Sequence, residues 1–234
     1  MLHEINEEKI LFLDIETVPT YELFELAPDN IQKLWSEKVK NQVTAEVTPA
    51  SLYRRAGIFA EFGKIICISV GFISGSSFRV KSFAGHDEFT LLNEFGNLLS
   101  RNYSSADAQL CAHNGKEFDF PFMARRMLIH GISLPPILNL AGKKPWEVKL
   151  LDTMELWKFG HFKNFSSLNL LATVFGIPTP KDDIDGSMVY DVYYKEKDLD
   201  RIVVYCQKDV FTVAQIFRKL KGGKLLDPDQ MVIT

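Results

Sequence analysis

Two carboxylates one residue apart follow a short apolar run near the start of the chain. The stretch over residues 9–17 reads K-I-L-F-L-D-I-E-T, and the run from Ile10 to Asp14 suits a central strand buried on both faces. Side chains alternate along a strand, so Asp14 and Glu16 should project to the same side. Two carboxylates this close repel each other unless a cation lies between them, which indicates a site for a hard divalent metal. With 30 acidic residues in a chain of 234, about one D-x-E is expected by chance, so this motif alone is weak evidence.

A second acidic motif, N-G-K-E-F-D, occupies residues 114–119, directly after a predicted strand. Asp119 would lie near the start of the next helix, where the helix macrodipole favours an anion. An N-x-x-x-F-D pattern is expected only about 0.05 times by chance in a chain of this composition, so it is more specific than D-x-E. Phe118 is expected in the core in any interpretation. Asn114 could equally be a plain turn residue.

A third motif, Y-C-Q-K-D over residues 205–209, lies inside the last predicted helix. Positions i and i+4 share a helix face, so the Tyr205 phenol and the Asp209 carboxylate should be neighbours. Asp209 also falls on the apolar stripe of this helix. A carboxylate on a buried stripe is costly unless it is paired or binds a metal, so Asp209 is a candidate metal ligand.

In this order the motifs D-I-E-T, N-G-x-x-F-D and Y-x-x-x-D resemble those of the DnaQ-like (RNase H-like) superfamily of 3′-5′ exonucleases. Tyr205 is typical of its DEDDy branch, which includes the proofreading domains of family-A and family-B DNA polymerases and RNase D. The sister branch has a histidine five residues before the last aspartate, where this chain has Val204. The chain also resembles stand-alone bacterial exonucleases related to the family-B proofreading domain, from residue 10 to about 220.

The resemblance implies a role for each acid. Asp14, Glu16 and Asp209 would ligate one divalent cation, Mg²⁺ or Mn²⁺, and Asp14 would bridge to a second cation. Asp119 would hold the second cation through water. Tyr205, together with Glu16, would orient the attacking water.

The resemblance also implies a substrate site. Thr17 and Asn114 would help seat the terminal nucleotide, and Phe118 would belong to the same site. The expected reaction is hydrolysis at the 3′ end of single-stranded or frayed DNA, releasing nucleoside 5′-monophosphates.

The physical chemistry of the residues agrees with this reaction. Phosphodiester hydrolysis needs a nucleophilic water, neutralised phosphate oxygens and a stabilised leaving group, and two metals about 4 Å apart supply all three. Mg²⁺ prefers carboxylates and water to nitrogen or sulfur ligands, which suits a site made of four acids. Tyrosine, with a reference pKa of about 10, is a poor base near pH 7 but a good hydrogen-bond director.

Composition limits the kind of partner and the compartment. A net charge of −3 and a pI near 6.0 argue against nucleic-acid binding through overall basicity, but not against local contact with phosphates. No apolar run approaches the roughly 20 residues that span a bilayer, and the acidic N-terminus does not look like a signal peptide. Scattered Cys67, Cys111 and Cys206 are typical of free, buried thiols in a reducing cytosol, so we expect a cytoplasmic protein without a zinc site.

The hydrophobic patterns predict an α/β fold: an RNase H-like, mixed five-stranded sheet flanked by helices, within a single domain over residues 1–234. The predicted strands after the first are 64–73, 78–84, 108–113 and 148–152, and the predicted helices are 86–101, 121–130, 166–175 and 198–221. Residues 18–62 should form a helical insertion, with helix starts at Pro28 and at Thr48-Pro49. Its local charge of +3 over residues 31–64 fits either a solvated helical face or a flap that faces phosphate.

Two further features leave alternatives open. Four lysines and four aromatic residues between positions 143 and 163 could form a rim that contacts a single strand, or the aromatic residues could pack in the core. These residues are Lys143, Lys144, Trp146, Trp157, Lys158, Phe159, Phe162 and Lys163. The alternative functions are an RNase D-like exoribonuclease and a catalytically silent module that binds nucleic acid or a partner protein. A polymerase or repair partner acting in trans is compatible with the first hypothesis.

Overall fold

The computed structural model describes residues 2–161, 163–178 and 183–234. Its centre is a mixed six-stranded sheet in the order β5-β4-β1-β2-β3-β6. The strands are β1 (Ile10–Pro19), β2 (Gly63–Ser74), β3 (Ser77–Ala84), β4 (Gln109–Ala112), β5 (Leu150–Asp152) and β6 (Met231–Ile233). The central strand β1 pairs antiparallel with β2 and parallel with β4. The predicted α/β class and mixed sheet are confirmed.

Helices cover both faces of this sheet. They are α1 (Asp29–Val39), α2 (Glu88–Asn102), α3 (Asp119–Ile129), α4 (Thr153–Lys158), α5 (Leu168–Val174), α6 (Val189–Asp191) and α7 (Leu199–Lys221). A single π-turn, Val192–Glu196, follows α6. Within the described ranges, none of these helices is both long enough and apolar enough to cross a membrane.

The alternation of side chains along β1 decides which helix each residue meets. Leu11 and Leu13 face the cluster that includes residues of α2 and α3. Ile10 and Phe12 face the opposite cluster, which includes Val210, Val213 and other residues of α7. Residues 14 and 16 continue the second set, so the acids of β1 point toward α7.

Residues 20–62 leave the sheet and return to it at adjacent positions. Pro19 pairs with Gly63, and the N–H of Thr20 donates to the carbonyl of Phe62 at 2.9 Å. The segment contains α1 and its own small core, in which Trp35 packs edge-on against Tyr53, Phe59 and Phe62.

The boundaries of the insertion differ from the sequence prediction in two places. β1 continues through residues 18 and 19, which had been assigned to the insertion. The helix expected at Thr48-Pro49 is a turn, and a 3₁₀ segment follows it at Tyr53–Ile58. Pro49 serves the fold differently, because its carbonyl accepts a hydrogen bond from the indole N–H of Trp35 at 2.8 Å.

Further elements that were not predicted are α4, α6, the π-turn and β6. The sheet has six strands and not the predicted five, because β6 pairs in parallel with β3. The stretch between the predicted helices 166–175 and 198–221 contains α6 and the π-turn, where Val192, Tyr193 and Tyr194 are buried. Thr179, Pro180, Lys181 and Asp182 of this stretch, like Phe162 of the predicted rim, lie outside the described residues.

Candidate active site

The end of β1 extends beyond the strand next to it. The last parallel pair between β1 and β4 is Phe12 with Cys111, and β4 ends one residue later. Asp14 and Glu16 therefore lie beside the C-terminal end of β4, the position where open sheets place ligand sites. On their other side β2 continues, with Ser69 opposite Asp14 and Cys67 opposite Glu16.

Helix α7 brings the third motif to these acids. Its N-terminus is capped by Asp198, whose side chain accepts from the N–H of Arg201 at 3.0 Å, and the helix lies across β1, β2 and β3. Tyr205 and Asp209 are buried on its inner face, and their side chains share a hydrogen bond. The expected i, i+4 neighbourhood of phenol and carboxylate is present.

Asp119 reaches the same place from the other side of β1. It is the first residue of α3, is only 3% exposed, and its carboxylate accepts a hydrogen bond from the backbone N–H of Ile15. Ile15 lies between Asp14 and Glu16, and β4 has already ended at this level. Because no residue of β4 pairs with Ile15, this N–H can hold the third acid beside the first two.

The acids of this site raise one another's pKa. Burial contributes most to the raised pKa of Asp14, and the charges of Asp119 and Asp209 add to it. Burial is also the largest cause for Glu16, followed by the charges of Asp14 and Asp209. Burial, with a contribution from Asp152, raises the pKa of Asp119 to about 7. The largest causes that raise the pKa values of Asp14 and Glu16 are thus burial and neighbouring acids.

These observations fit a divalent cation. Buried acids without a cationic partner cost free energy, and a cation bound among them removes both the desolvation and the repulsion. The ligand atoms of Asp14, Glu16 and the thiol of Cys206 lie within 4.8 Å of one another. Asp119 and Asp209 act electrostatically on Asp14, so the four predicted acidic ligands and Tyr205 are brought together.

The three predicted substrate residues already have structural contacts. The hydroxyl of Thr17 donates to the carbonyl of Gly57 at 2.8 Å, just after the register shift in which Ile66 of β2 is left unpaired between Glu16 and Thr17 of β1. Asn114 adopts a left-handed conformation, with φ of 62°, and its carbonyl accepts from the N–H of Phe118 at 3.0 Å. The ring of Phe118 packs against Phe122 and borders the core.

Asp152, at the end of β5, is a residue that the sequence analysis missed. Its side chain is buried and accepts hydrogen bonds from four backbone N–H groups, those of Asn114, Lys116, Met154 and Glu155, at 2.9–3.3 Å. It therefore joins the N-terminus of α4 to the loop that leads into Asp119. The available signal was its position, because an acid after a short strand is the same pattern as Asp14.

Gly115 permits a tight turn in that loop. A Cβ at this position would lie 2.4 Å from the Cβ of Ala112 and 3.0 Å from the ring of Phe120. His113, just before the loop, holds Thr153 Oγ1 at 2.8 Å and the carbonyl of Ser166 at 2.9 Å through its two ring nitrogens. Burial lowers the pKa of His113, so the ring is a neutral support for the loop.

The lysine and aromatic rim is divided between exposed and packed residues. Trp146 is 77% exposed and Phe159 is 85% exposed, whereas Trp157 packs edge-on against Phe175 at 5.3 Å. The ammonium group of Lys144 lies 5.3 Å from the Trp146 ring centroid. Core packing thus explains Trp157 but leaves Trp146 and Phe159 available to a strand.

The fold and site define an exonuclease-type, RNase H-like domain. Residues 58–224 match the family described as predicted 3′-5′ exonucleases related to the exonuclease domain of PolB, and the chain belongs to this family. The matched range includes Asp119, Tyr205 and Asp209 and begins after Asp14 and Glu16. No protein of curated function matches this chain in sequence.

A solved structure supports the fold independently. The chain is similar to the family B DNA polymerase from the hyperthermophilic archaeon Pyrobaculum calidifontis, with a TM-score of 0.56 and 15% sequence identity. The match covers 90% of this chain and 24% of the polymerase. At this identity the similarity establishes a shared fold.

Proposed function

We propose that this protein is a metal-dependent 3′-5′ exonuclease that hydrolyses phosphodiester bonds at the 3′ end of single-stranded or frayed DNA. The observation that carries the proposal is the convergence of Asp14, Glu16, Asp119, Asp209 and Tyr205 at one sheet edge. Glu16, Asp119 and Asp209 are buried and Asp14 is half-buried, and the pKa values of Asp14, Glu16 and Asp119 are raised. The products would be nucleoside 5′-monophosphates, and residues 1–234 would act as a single exonuclease domain.

Four acids would hold two divalent cations, Mg²⁺ or Mn²⁺. Asp14, Glu16 and Asp209 would hold the first cation, and Asp14 together with Asp119 would hold the second. When bound, such cations neutralise phosphate oxygens, lower the pKa of a water and stabilise the leaving oxygen.

Tyr205 would position the nucleophile rather than accept its proton. Burial raises the pKa of the phenol, and the neighbouring acids Asp209, Glu16 and Asp14 raise it further. The hydroxyl therefore stays protonated at physiological pH and can serve as a hydrogen-bond donor and acceptor. Its hydrogen bond to Asp209 fixes its direction.

The substrate would be seated at the edges of this site. Thr17, Asn114 and Phe118 line the ends of β1 and β4, and the exposed rings of Trp146 and Phe159 could stack on bases farther along the strand. An RNase D-like exoribonuclease would use the same chemistry, because a single contact to a 2′-hydroxyl can decide between the sugars.

The test uses single-stranded DNA and RNA oligonucleotides of equal sequence, each labelled at the 3′ or the 5′ end. Purified protein is incubated with each in EDTA, Mg²⁺ or Mn²⁺. A metal-dependent ladder that shortens from the 3′ end is expected, with DNA degraded faster than RNA. Binding without cleavage in either metal would instead identify a silent nucleic-acid module.

A pair of aspartate variants distinguishes the activity of this protein from that of a contaminating nuclease. Asp14→Asn should abolish the ladder and leave the fold intact. Asp107→Asn makes the same change at an exposed acid paired with Lys9, before β4, and should retain the wild-type rate. Equal activity of the two variants would contradict the proposed site.

A further inference from the structure

Cys206 is the thiol that lies beside the acid cluster. It follows Tyr205 in α7, is fully buried, and its Sγ lies 3.4 Å from Oδ2 and 3.4 Å from the backbone carbonyl oxygen of Asp14. Cys111 is equally buried, but it packs among apolar residues such as Phe12 and Val210. The two thiols differ in what surrounds them.

The thiol completes a ligand set of three with the acids of β1. One ligand atom each from Asp14, Glu16 and Cys206 can be chosen so that all three lie within 4.8 Å of one another. In a tetrahedral zinc site, with Zn–S about 2.3 Å and Zn–O about 2.0–2.2 Å, ligand atoms are about 3.3–3.7 Å apart. The Asp14–Cys206 pair already has this separation, and small side-chain rotations would bring Glu16 to it.

The charge around the set favours a cation. Glu16 is buried and Asp14 is half-buried, and both face further acids. Mg²⁺ uses oxygen ligands and leaves a thiol aside, whereas Zn²⁺ and Cd²⁺ bind thiolate together with carboxylate. The same cluster can therefore receive two chemical classes of metal.

We propose that Cys206, Asp14 and Glu16 form a binding site for thiophilic divalent cations, which shares Asp14 and Glu16 with the magnesium-type site of the four acids and adds the thiol of Cys206 as a ligand. Binding forms a metal–sulfur bond and releases the thiol proton to solvent, with no change in oxidation state. The Irving–Williams order places Zn²⁺ above Mn²⁺, so a thiophilic ion would displace the hard one. Inhibition of the nuclease by such an ion would rest on the proposed exonuclease function, whereas binding of the ion to the protein does not depend on that function.

The binding test titrates Cd²⁺ into metal-free protein and records the ultraviolet charge-transfer band of a Cd–thiolate bond. Wild type should give the band with one equivalent of Cd²⁺. Cys206→Ser should lose the band and bind Cd²⁺ at least about 10-fold more weakly, the smallest loss typical of even an outer-shell partner. Cys206→Ala serves in its place if the serine variant does not fold.

Two matched cysteine variants locate the ligand. Cys111→Ser removes a buried thiol in the apolar cluster and should keep the band. Cys67→Ser changes the thiol opposite Glu16, which interacts with Cys206 and contacts Ser69 Oγ at 3.6 Å, and it should also keep the band. Loss of the band in Cys67→Ser with retention in Cys206→Ser would overturn the assignment.

Wild-type protein provides a test that needs no variant. The ¹¹³Cd resonance of the one-equivalent complex should lie downfield of the range for all-oxygen sites. A resonance within the all-oxygen range would overturn the proposal, even if the protein is an active nuclease.

The activity test is separate from the binding test. Zn²⁺ is titrated against the Mg²⁺-supported exonuclease rate, and each variant is compared with its own rate in Mg²⁺ alone. Cys206→Ser should need at least about 10-fold more Zn²⁺ for half inhibition than Cys111→Ser. A Cd–thiolate band without any exonuclease activity would refute the proposed function and leave the thiophilic site standing.

Discussion

Two buried glutamates of this protein have opposite surroundings. Glu88, at the start of α2, is 6% exposed and is held by Arg126 of α3 through two hydrogen bonds, Nε to Oε1 at 2.9 Å and Nη2 to Oε2 at 2.5 Å. The N–H of Ile65 and the ring of His130 complete its contacts. Glu16 is 7% exposed and faces Asp14 and Asp209.

The pKa values of the two carboxyls express this difference. Burial alone would raise the pKa of Glu88, but the hydrogen bonds and charge of Arg126 and the N–H of Ile65 bring it below its usual value. Burial and neighbouring acids raise the pKa of Glu16. The buried acid held by Arg126 connects elements of the fold, whereas a cluster of acids that raise one another's pKa indicates a ligand supplied from outside.

The largest expected difference is in catalysis. Glu16→Gln should lower the Mg²⁺-dependent exonuclease rate by about 10³-fold, equivalent to about 4 kcal/mol, because the amide cannot replace a charged ligand. Glu88→Gln makes the same change at equal burial and should leave the rate per folded molecule within about threefold, since it lies outside the site. Initial rates on a 3′-labelled single strand measure both, and similar losses would remove the distinction.

Stability should respond in the opposite sense. Glu88→Gln should lower the free energy of unfolding by about 3–5 kcal/mol, because Arg126 would remain buried without its counter-charge. Glu16→Gln should leave the metal-free protein as stable as wild type or more stable, because a repulsive charge is removed. Urea unfolding in EDTA compares them, and equal destabilisation would show that Glu16 also has a structural partner.

The pH dependence of the metal-free protein should show the same contrast. The pKa of Asp119 rises from a reference value of 3.8 to about 7 in the fold, so its contribution to stability is present at acidic pH and is lost as pH rises from about 4 to about 7. The loss is at most about 4 kcal/mol. The lowered pKa of Glu88 acts the other way, with stability lost as pH falls below its unfolded value.

Thermal unfolding in EDTA between pH 4.5 and 8 measures this dependence. Adding Mg²⁺ should restore stability mainly above pH 7, where the acids are ionised and can bind it. If the pH dependence of thermal stability is unchanged in Asp119→Asn, groups other than Asp119 cause it.

The smallest effect concerns His130. Its Nε2 lies 2.8 Å from Glu88 Oε2, but its side chain is partly exposed and Arg126 remains in place. His130→Ala should therefore cost no more than about 1 kcal/mol of stability. A loss as large as that of Glu88→Gln would show that the histidine, and not the arginine, balances the buried carboxylate.

The sequence predicted the site acids because each obeys a local rule. Asp14 and Glu16 follow from alternation along an apolar strand, and Asp209 follows from its place on a helical stripe. β6 and the buried turns around Tyr193 and Tyr194 were missed because long-range contacts determine them. Tyr194, for example, donates its hydroxyl hydrogen to the carbonyl of Pro19 at 2.5 Å, across most of the chain.

The neighbourhood of Cys206 could not be predicted for the same reason. Scattered cysteines argued against a zinc-type site, and only the packing of α7 on β1 brings the Sγ of Cys206 to Asp14. Asp152 had a local signal, but its four backbone donors come from the loop after β4 and from the first turn of α4, which the sequence does not relate to each other.

The return of residues 20–62 to the point where they leave the sheet has an evolutionary consequence. Because Pro19 and Gly63 are paired neighbours, β1 and β2 form a hairpin whatever lies between them. The entropic cost of closing such a loop grows only slowly with its length, so this segment can lengthen, shorten or be exchanged without moving the acids. The family match begins at residue 58 and covers neither most of this segment nor β1 with its two acids. Because both ends of the segment are fixed by the sheet, variation in length between relatives should concentrate here, and a graft at residues 20 and 62 should leave the pairing of β1 with β2 intact.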